Sequence, residues 1–192
     1  MKIMVDLDRV VFECPSFMFW IGNKIFTKSH LDKELYYHIV DADKAMGYRN
    51  TLFFLKMSRS KNFNQIDKSV EILKKWNNQG LDIHFVSSRP KFKAFQKATV
   101  EWLKEKNINY SNLVFNCTNK PLFCKINKFD YIIDDTYKNC EGSFRLGINP
   151  IWVRTRQNKN IKNERNIPEA YTWETIDNII QSHCSNKNPM MQ

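Results

Sequence analysis

The sequence lacks the features of a secreted, zinc-binding or membrane-spanning protein. Its five cysteines are scattered and never form a C-x-x-C pair, so neither a disulfide framework nor a zinc knuckle is indicated. No apolar stretch approaches the roughly 20 residues that a membrane helix needs. The N-terminal apolar run is short and ends in carboxylates, unlike a secretory signal. We therefore expect a cytoplasmic protein with reduced thiols and no membrane partner.

Acidic residues are also scarce. The chain has 30 Lys and Arg against 20 Asp and Glu, a formal net charge of +10, which favours anionic partners such as phosphorylated substrates or nucleic acid. The excess is densest between Arg154 and Arg165, but this segment lacks the interleaved aromatic residues of a strand-binding groove. A solvated surface loop is therefore the alternative explanation.

Short apolar runs alternate with helix-period segments along the chain. With 192 residues, 42% of them hydrophobic, the chain is long enough for one core and one insertion. The alternation predicts βα units, and hence an α/β fold with a central, mostly parallel sheet flanked by helices. The predicted strands cover residues 3–5, 83–86, 113–115, 131–133 and 151–153.

Four carboxylates lie at the ends of two of these strands. Asp6 and Asp8 follow the first strand, and Asp134 and Asp135 close the fourth. Residues i and i+2 of a strand point to the same side, and parallel strands end at one edge of the sheet, where ligands bind. We expect the four side chains to meet in one crevice. An all-oxygen cluster of this kind predicts a Mg²⁺ site.

Further polar residues follow the second and third predicted strands. Ser87, with Ser88 and Arg89, precedes a helix whose exposed amides could cradle a phosphate. Lys120 follows the third strand. Taken alone, Ser87 is better explained as a helix cap, and Lys120 as one of many lysines.

A long segment interrupts the alternation after the first carboxylates. Residues 13–64 are far more than a βα connection needs, and their pattern predicts a small helical cap inserted after the first strand. The core would then comprise residues 1–12 and 65–184, followed by a flexible tail at 185–192. Phe17, Trp20 and Phe54 in the cap either stack on a nucleobase or pack within the cap itself.

Taken together and in this order, the polar groups resemble the four motifs of the haloacid dehalogenase (HAD) superfamily, over about residues 2 to 153. Asp6-x-Asp8 looks like the nucleophile loop, Ser87 like the hydroxyl motif, Lys120 like the phosphate-binding lysine, and the Asp134 pair like the acidic metal motif. The chain length, the cap and the phenylalanine-rich segment 51–55 are most similar to the 5'(3')-deoxyribonucleotidases. The resemblance implies a Rossmann-like HAD core.

The resemblance also implies an activity, that of a Mg²⁺-dependent phosphomonoester hydrolase acting on nucleoside monophosphates. Asp6 would form an aspartyl-phosphate, and Asp8 would protonate the leaving oxygen and then activate water. The implied metal ligands are Asp6, the main-chain carbonyl of Asp8, and one or both of Asp134 and Asp135. The implied phosphate-binding residues are Ser87, Ser88, Arg89 and Lys120.

One residue departs from the superfamily pattern. Arg9 stands where glycine or another small or acidic residue usually follows the second aspartate. It could contact the substrate and supply positive charge, or it could obstruct the site. The alternatives to a nucleotidase are therefore a polynucleotide 3'-phosphatase and a nucleotide-binding protein with impaired catalysis. The sequence leaves open whether the protein is a monomer or a dimer.

Overall fold

The structure is a computed structural model that describes residues 1–13, 64–89 and 93–187. The predicted cap, with Phe17, Trp20 and Phe54, lies almost entirely outside the described residues, as does most of the predicted tail. Within the described residues, six parallel strands form one sheet in the order β3-β2-β1-β4-β5-β6. The predicted α/β fold with a parallel sheet is confirmed.

The strands match the predicted apolar runs closely. Their bounds are β1 Lys2–Val5, β2 Asp82–Val86, β3 Asn112–Val114, β4 Tyr131–Asp134, β5 Asn149–Val153 and β6 Glu169–Ala170. The third strand begins and ends one residue earlier than predicted. Since β6 has only two residues, it is too short to show a periodic pattern, and the sequence did not predict it.

Five helices cover the two faces of the sheet within the described part of the chain. They are α1 Ser69–Asn78, α2 Lys93–Glu105, α3 Lys120–Ile126, α4 Tyr137–Arg145 and α5 Trp173–Lys187. None of the helices in the described ranges is both long and apolar enough to cross a membrane.

The central strand β1 is buried on both faces. Ile3 and Val5 belong to a large core cluster with Trp76 of α1 and Trp102 of α2. Met4 points the opposite way, into a second cluster that includes Cys124 of α3. The alternation of side chains along a strand therefore places a helical layer on each face.

The strand order reverses beside β1. This strand pairs with β2 on one side and with β4 on the other, so the connections leave the carboxyl edge in opposite directions. Such a switch point opens a crevice beyond the strand ends, and ligands of open α/β sheets bind there. The loops after β1 and β4 border this crevice.

Candidate active site

Three buried carboxylates converge at the switch point. Asp6 follows β1, Asp134 ends β4 and Asp135 comes next. One oxygen of each lies within 4.8 Å of the others. The loop after β1 is held against β4 because the amide of Asp6 donates to the carbonyl of Ile133 at 2.9 Å. The structure thus brings together three of the four carboxylates that the sequence placed in one crevice.

Lys120 joins two of these acids. It is the first residue of α3 and is buried, and its Nζ lies 2.8 Å from Asp6 Oδ1 and 2.8 Å from Asp134 Oδ2. Burial opposes the charge of the ammonium, but the two carboxylates outweigh it and raise the pKa of Lys120 above its ordinary value. The lysine is therefore a fixed cation between the two acids.

Asp134 is held on both oxygens. Its Oδ1 accepts from the amide of Thr136 at 2.8 Å, and its Oδ2 accepts from Asn139 Nδ2 at 3.0 Å as well as from Lys120. Because every one of these donors is fixed on α3, on α4 or in the turn before α4, the carboxylate has one orientation. That orientation faces Asp6.

Asp135 is positioned by its side chain and by its main chain. Its Oδ2 lies 2.9 Å from Arg9 Nε. Its carbonyl accepts from Trp152 Nε1 at 3.0 Å and from Asn158 Nδ2 at 2.8 Å. Burial raises the pKa of this carboxyl to about 8, although the guanidinium of Arg9 opposes the rise.

Asp8 lies in a separate contact with Arg89. Arg89 Nε donates to Asp8 Oδ2 at 2.7 Å and Nη2 donates to Oδ1 at 2.6 Å, a two-pronged pair. Arg89 Nη1 also donates to the buried Thr99 at 3.0 Å. Burial would raise the pKa of Asp8, but the charge and hydrogen bonds of Arg89 outweigh it and hold that pKa below its ordinary value.

Ser87 is buried at the end of β2, where its Oγ accepts from the amide of Arg89 at 3.1 Å. Its own amide and carbonyl bond to Val114 and Cys117 in the strand and loop alongside. The hydroxyl therefore stands at the sheet edge in a fixed turn. Ser88 and Arg89, which the sequence grouped with it, are half-buried.

The loop after β1 has an unusual backbone. Arg9 has a φ of 62°, a left-handed conformation that glycine adopts without strain and arginine does not. Two main-chain hydrogen bonds close the loop. The amide of Arg9 donates to the carbonyl of Phe12 at 2.8 Å, and the amide of Val11 donates to the carbonyl of Leu7 at 2.9 Å. The sequence departure at Arg9 thus falls at the position of this loop where glycine would fit best.

The acidic cluster has the composition of a cation site. Burial raises the pKa of Asp6 to about 6, although Lys120 opposes the rise. Three buried carboxylates therefore share a space where charge is costly unless a cation is close by. Hard oxygen donors at this spacing suit a divalent cation that prefers oxygen, and Asp6, Asp134 and Asp135 could hold it.

Several residues of the site were not predicted from the sequence. Trp152 and Asn158 support Asp135 from 17 and 23 residues away, and Thr99 supports Arg89 from 10 residues away. No local pattern connects such distant partners. The one available signal was the Asp-x-Thr spacing at 134–136, because a side chain that bonds an amide two residues on is typical of an Asx turn.

Several solved structures share this fold, among them HAD-superfamily hydrolases and phosphatases. A HAD-superfamily hydrolase from Ehrlichia chaffeensis matches with a TM-score of 0.57 and 12% identity, over 94% of this chain and 96% of that chain. A HAD phosphatase from Thermococcus onnurineus matches with a TM-score of 0.58 and 15% identity, over 94% and 98%. The D,D-heptose 1,7-bisphosphate phosphatase from B. bronchiseptica, complexed with magnesium and phosphate, matches with a TM-score of 0.57 and 9% identity, over 95% and 99%.

The fold is that of the HAD-superfamily hydrolases. Residues 1–185 match the family model described as "5' nucleotidase, deoxy (Pyrimidine), cytosolic type C protein". The chain belongs to this family, and it is a HAD-type phosphatase. No curated protein matches the sequence.

Proposed function

We propose that this protein is a Mg²⁺-dependent 5'(3')-nucleotidase that releases phosphate from nucleoside monophosphates through an aspartyl-phosphate. The observation that carries the proposal is Lys120, buried between Asp6 and Asp134 at the switch point of the sheet. A fixed cation beside a nucleophilic carboxylate suits an anionic phosphate, and the family match supports a nucleotide as the substrate.

Asp6 is the proposed nucleophile. One of its oxygens bonds to phosphorus as the bond from phosphorus to the leaving oxygen breaks, and water later cleaves the aspartyl-phosphate. The amide of Leu7 donates to Asp6 Oδ1 at 2.8 Å, and Lys120 binds the same oxygen. These contacts hold Oδ1, which does not attack, and leave Oδ2 to attack phosphorus.

Asp8 is the proposed acid and base. As the carboxylate that Arg89 stabilises, it accepts a proton from the hydrolytic water. To protonate the leaving oxygen it must first carry a proton, and Arg89 occupies both of its oxygens. Arg89 therefore has to release one of them, and it does so by moving to the substrate phosphate, the contact that the sequence implied for Arg89 together with Ser87 and Ser88.

The metal site is proposed at Asp6, Asp134 and Asp135, with the main-chain carbonyl of Asp8. When bound there, Mg²⁺ reduces the repulsion between the carboxylates and the incoming phosphate. The helical cap that the sequence predicts at residues 13–64 lies almost entirely outside the described residues; its Phe17, Trp20 and Phe54 are the proposed contacts to the base. The cytosol is the proposed location, as the family description suggests.

Phosphate release from a panel of ribo- and deoxynucleoside 5'- and 3'-monophosphates and phosphosugars, with and without Mg²⁺, tests the proposal. Turnover that requires Mg²⁺ and disappears in Asp6→Asn is expected, with nucleotides preferred over phosphosugars. Asp82→Asn is the matched control, because this half-exposed acid lies on β2 at the opposite edge of the sheet. Equal activity of wild type and Asp6→Asn would contradict the nucleophile, and a preference for phosphosugars would contradict the nucleotide.

A second candidate substrate is the 3'-phosphate of a polynucleotide, which the segment between β5 and β6 supports. Asn158 in this segment donates to the carbonyl of Asp135, so the segment is attached to the site. Arg154 stacks on Trp152 at 4.0 Å and donates to two carbonyls of the segment. Hydrogen bonds thus order this segment. Three of its exposed cations form no ion pair with any residue that the structure describes: Arg156, Lys159 and Lys162.

A 3'-phosphorylated oligonucleotide in the same panel separates the two substrates. If the loop binds a strand, kcat/KM for the oligonucleotide falls steeply with salt, with a log–log slope of about −0.7 per phosphate contacted. The slope should flatten in Arg156→Gln and Lys159→Gln, but not in Lys138→Gln on the exposed side of α4. Equal salt dependence for mononucleotide and oligonucleotide would exclude this role.

A further inference from the structure

We propose that Arg9 competes with the divalent cation for Asp135 and so lowers the metal affinity of this site below that of the same site without the arginine. The inference rests on the proposed metal site. It concerns the one residue of the catalytic loop that departs from the superfamily pattern, and the contact that this residue makes.

Arg9 is directed into the acidic cluster. Its Nε lies 2.9 Å from Asp135 Oδ2, and the side chains of Arg9 and Asp135 are only 15% and 3% exposed. The backbone of Arg9 is held by its bond to Phe12 and by its left-handed φ of 62°. The guanidinium is therefore part of the site and does not stand as a mobile surface charge.

The contact involves a carboxylate that the metal would use. Asp6, Asp134 and Asp135 each offer an oxygen within 4.8 Å of the others, so a bound cation would lie close to the guanidinium. Two like charges beside one buried acid oppose each other. Lys120 already neutralises Asp6 and Asp134 in part, and Arg9 adds a second protein cation at the third acid.

The competition is partial. Asp135 Oδ1 has a long contact of 3.5 Å with Thr136 Oγ1, so this oxygen stays open to a metal while Oδ2 faces Arg9. Metal binding is therefore weakened and not abolished. Either the arginine tolerates the metal at reduced affinity, or it leaves Asp135 when the metal enters, and both routes cost binding energy.

Binding of Mn²⁺, measured by titration calorimetry without substrate, tests the inference. Arg9→Gln and Arg9→Gly remove the charge, and glycine also suits the left-handed backbone. Both should bind Mn²⁺ more tightly than wild type, on the order of 10- to 100-fold, the scale of other changes to groups that hold metal ligands. Arg145→Gln, which removes an exposed arginine of α4, should bind like wild type.

The same titration in an Asp135→Asn background locates the effect. If Arg9 acts through Asp135, Arg9→Gln adds little affinity once that carboxylate is gone. Circular dichroism checks that each variant is folded. In a folded variant, tighter binding also gives a larger rise of the Tm on adding Mn²⁺.

The outcomes separate this inference from the proposed function. If wild type binds Mn²⁺ and both Arg9 variants bind it no more tightly, the competition is overturned but the metal site is not. A gain in Arg9→Gln that persists in full in the Asp135→Asn background also overturns it, because the arginine would then oppose the metal without competing for Asp135. Absence of Mn²⁺ binding in every variant overturns the metal site and the competition together.

Discussion

At the scale of single residues, four carboxylates meet three cationic side chains at the carboxyl edge of the sheet. Lys120 serves Asp6 and Asp134, while Arg9 and Arg89 each hold one further acid. Lys120 has the deepest position of the three cations, with 3% of its surface exposed. If the charge of Lys120 were lost, water could therefore compensate for it less well than for the loss of either arginine.

Lys120→Met tests this position. The variant keeps an unbranched side chain but leaves two buried acids without their cation. Turnover at saturating substrate should fall by about 10²- to 10³-fold, as for other lost electrostatic donors, and the free energy of unfolding should fall by about 3 kcal/mol or more. Phosphate release and urea unfolding measure the two effects. Lys125→Met on the exposed side of the same helix is the control, and equal losses in both variants would contradict the assignment.

The acids and the lysine were predictable because each follows a strand, and strand ends meet at one edge of a parallel sheet. Their pairing was not. Arg89 was expected beside the phosphate, yet it binds Asp8 through two hydrogen bonds, and a third bond to Thr99 of α2 holds its guanidinium. A sequence pattern predicts at which strand end a side chain lies. Which partner the side chain binds depends on distances that only the packed structure sets.

At the scale of elements, the contact between α3 and α4 sets the position of Lys120. Gly142 of α4 faces Pro121, the residue after Lys120, and a Cβ at Gly142 would lie 2.9 Å from Pro121 Cγ. A real Cβ does not approach a carbon atom so closely, and the proline ring is stiff. The two helices therefore require a residue without a side chain at this contact.

Gly142→Ala should consequently destabilise the protein. Alanine normally favours a helix interior by about 1 kcal/mol over glycine, but overpacking costs about 1–3 kcal/mol, so the net change in the free energy of unfolding is a loss. Because α3 must shift, kcat should fall as well. Urea unfolding and phosphate release check both effects. Lys138→Ala, at an exposed position of α4, is the control, and a stabilised Gly142→Ala variant would refute the tight contact.

Strands and helices were predicted with different success. Each of the five predicted runs became a strand, because an apolar run that packs on both faces is a strong signal of a parallel sheet. The edge strand β3 packs in the same way but is only half-buried at Leu113 and Val114. The two-residue β6 has no such signal. It exists because β5 offers its free edge, and the segment after Arg154 folds back to pair with Trp152 and Val153.

At the scale of the whole molecule, α1 and α5 close the larger core over the sheet. Asp177 of α5 accepts from Lys75 Nζ at 2.6 Å and from the indole of the buried Trp76 at 2.8 Å. Burial would raise the pKa of Asp177, but the hydrogen bonds from Lys75, Trp76 and Gln181 outweigh it and lower that pKa. The ionised form is therefore the one that joins the two helices.

This contact gives a pH-dependent contribution to stability. A folded pKa below the unfolded value of about 3.9 means that the contribution is complete above that value and is lost as the pH falls through the lower folded pKa. Asp177→Asn should reduce the free energy of unfolding by about 1–2 kcal/mol at pH 7, and the difference from wild type should shrink below about pH 4. Urea unfolding at both pH values, with Glu174→Gln as control, measures it. A difference that grows in acid would refute the sign.

The central place of β1 in the sheet has a consequence for synthesis. Strand β1 pairs with β2 about 80 residues later in the chain and with β4 about 130 residues later. Until Tyr131–Asp134 leaves the ribosome, one edge of β1 is unpaired and the loop after β1 lacks its contact with Ile133. A growing chain therefore holds β1 only partly paired while about 130 further residues are made, and the acidic cluster is assembled only when β4 arrives.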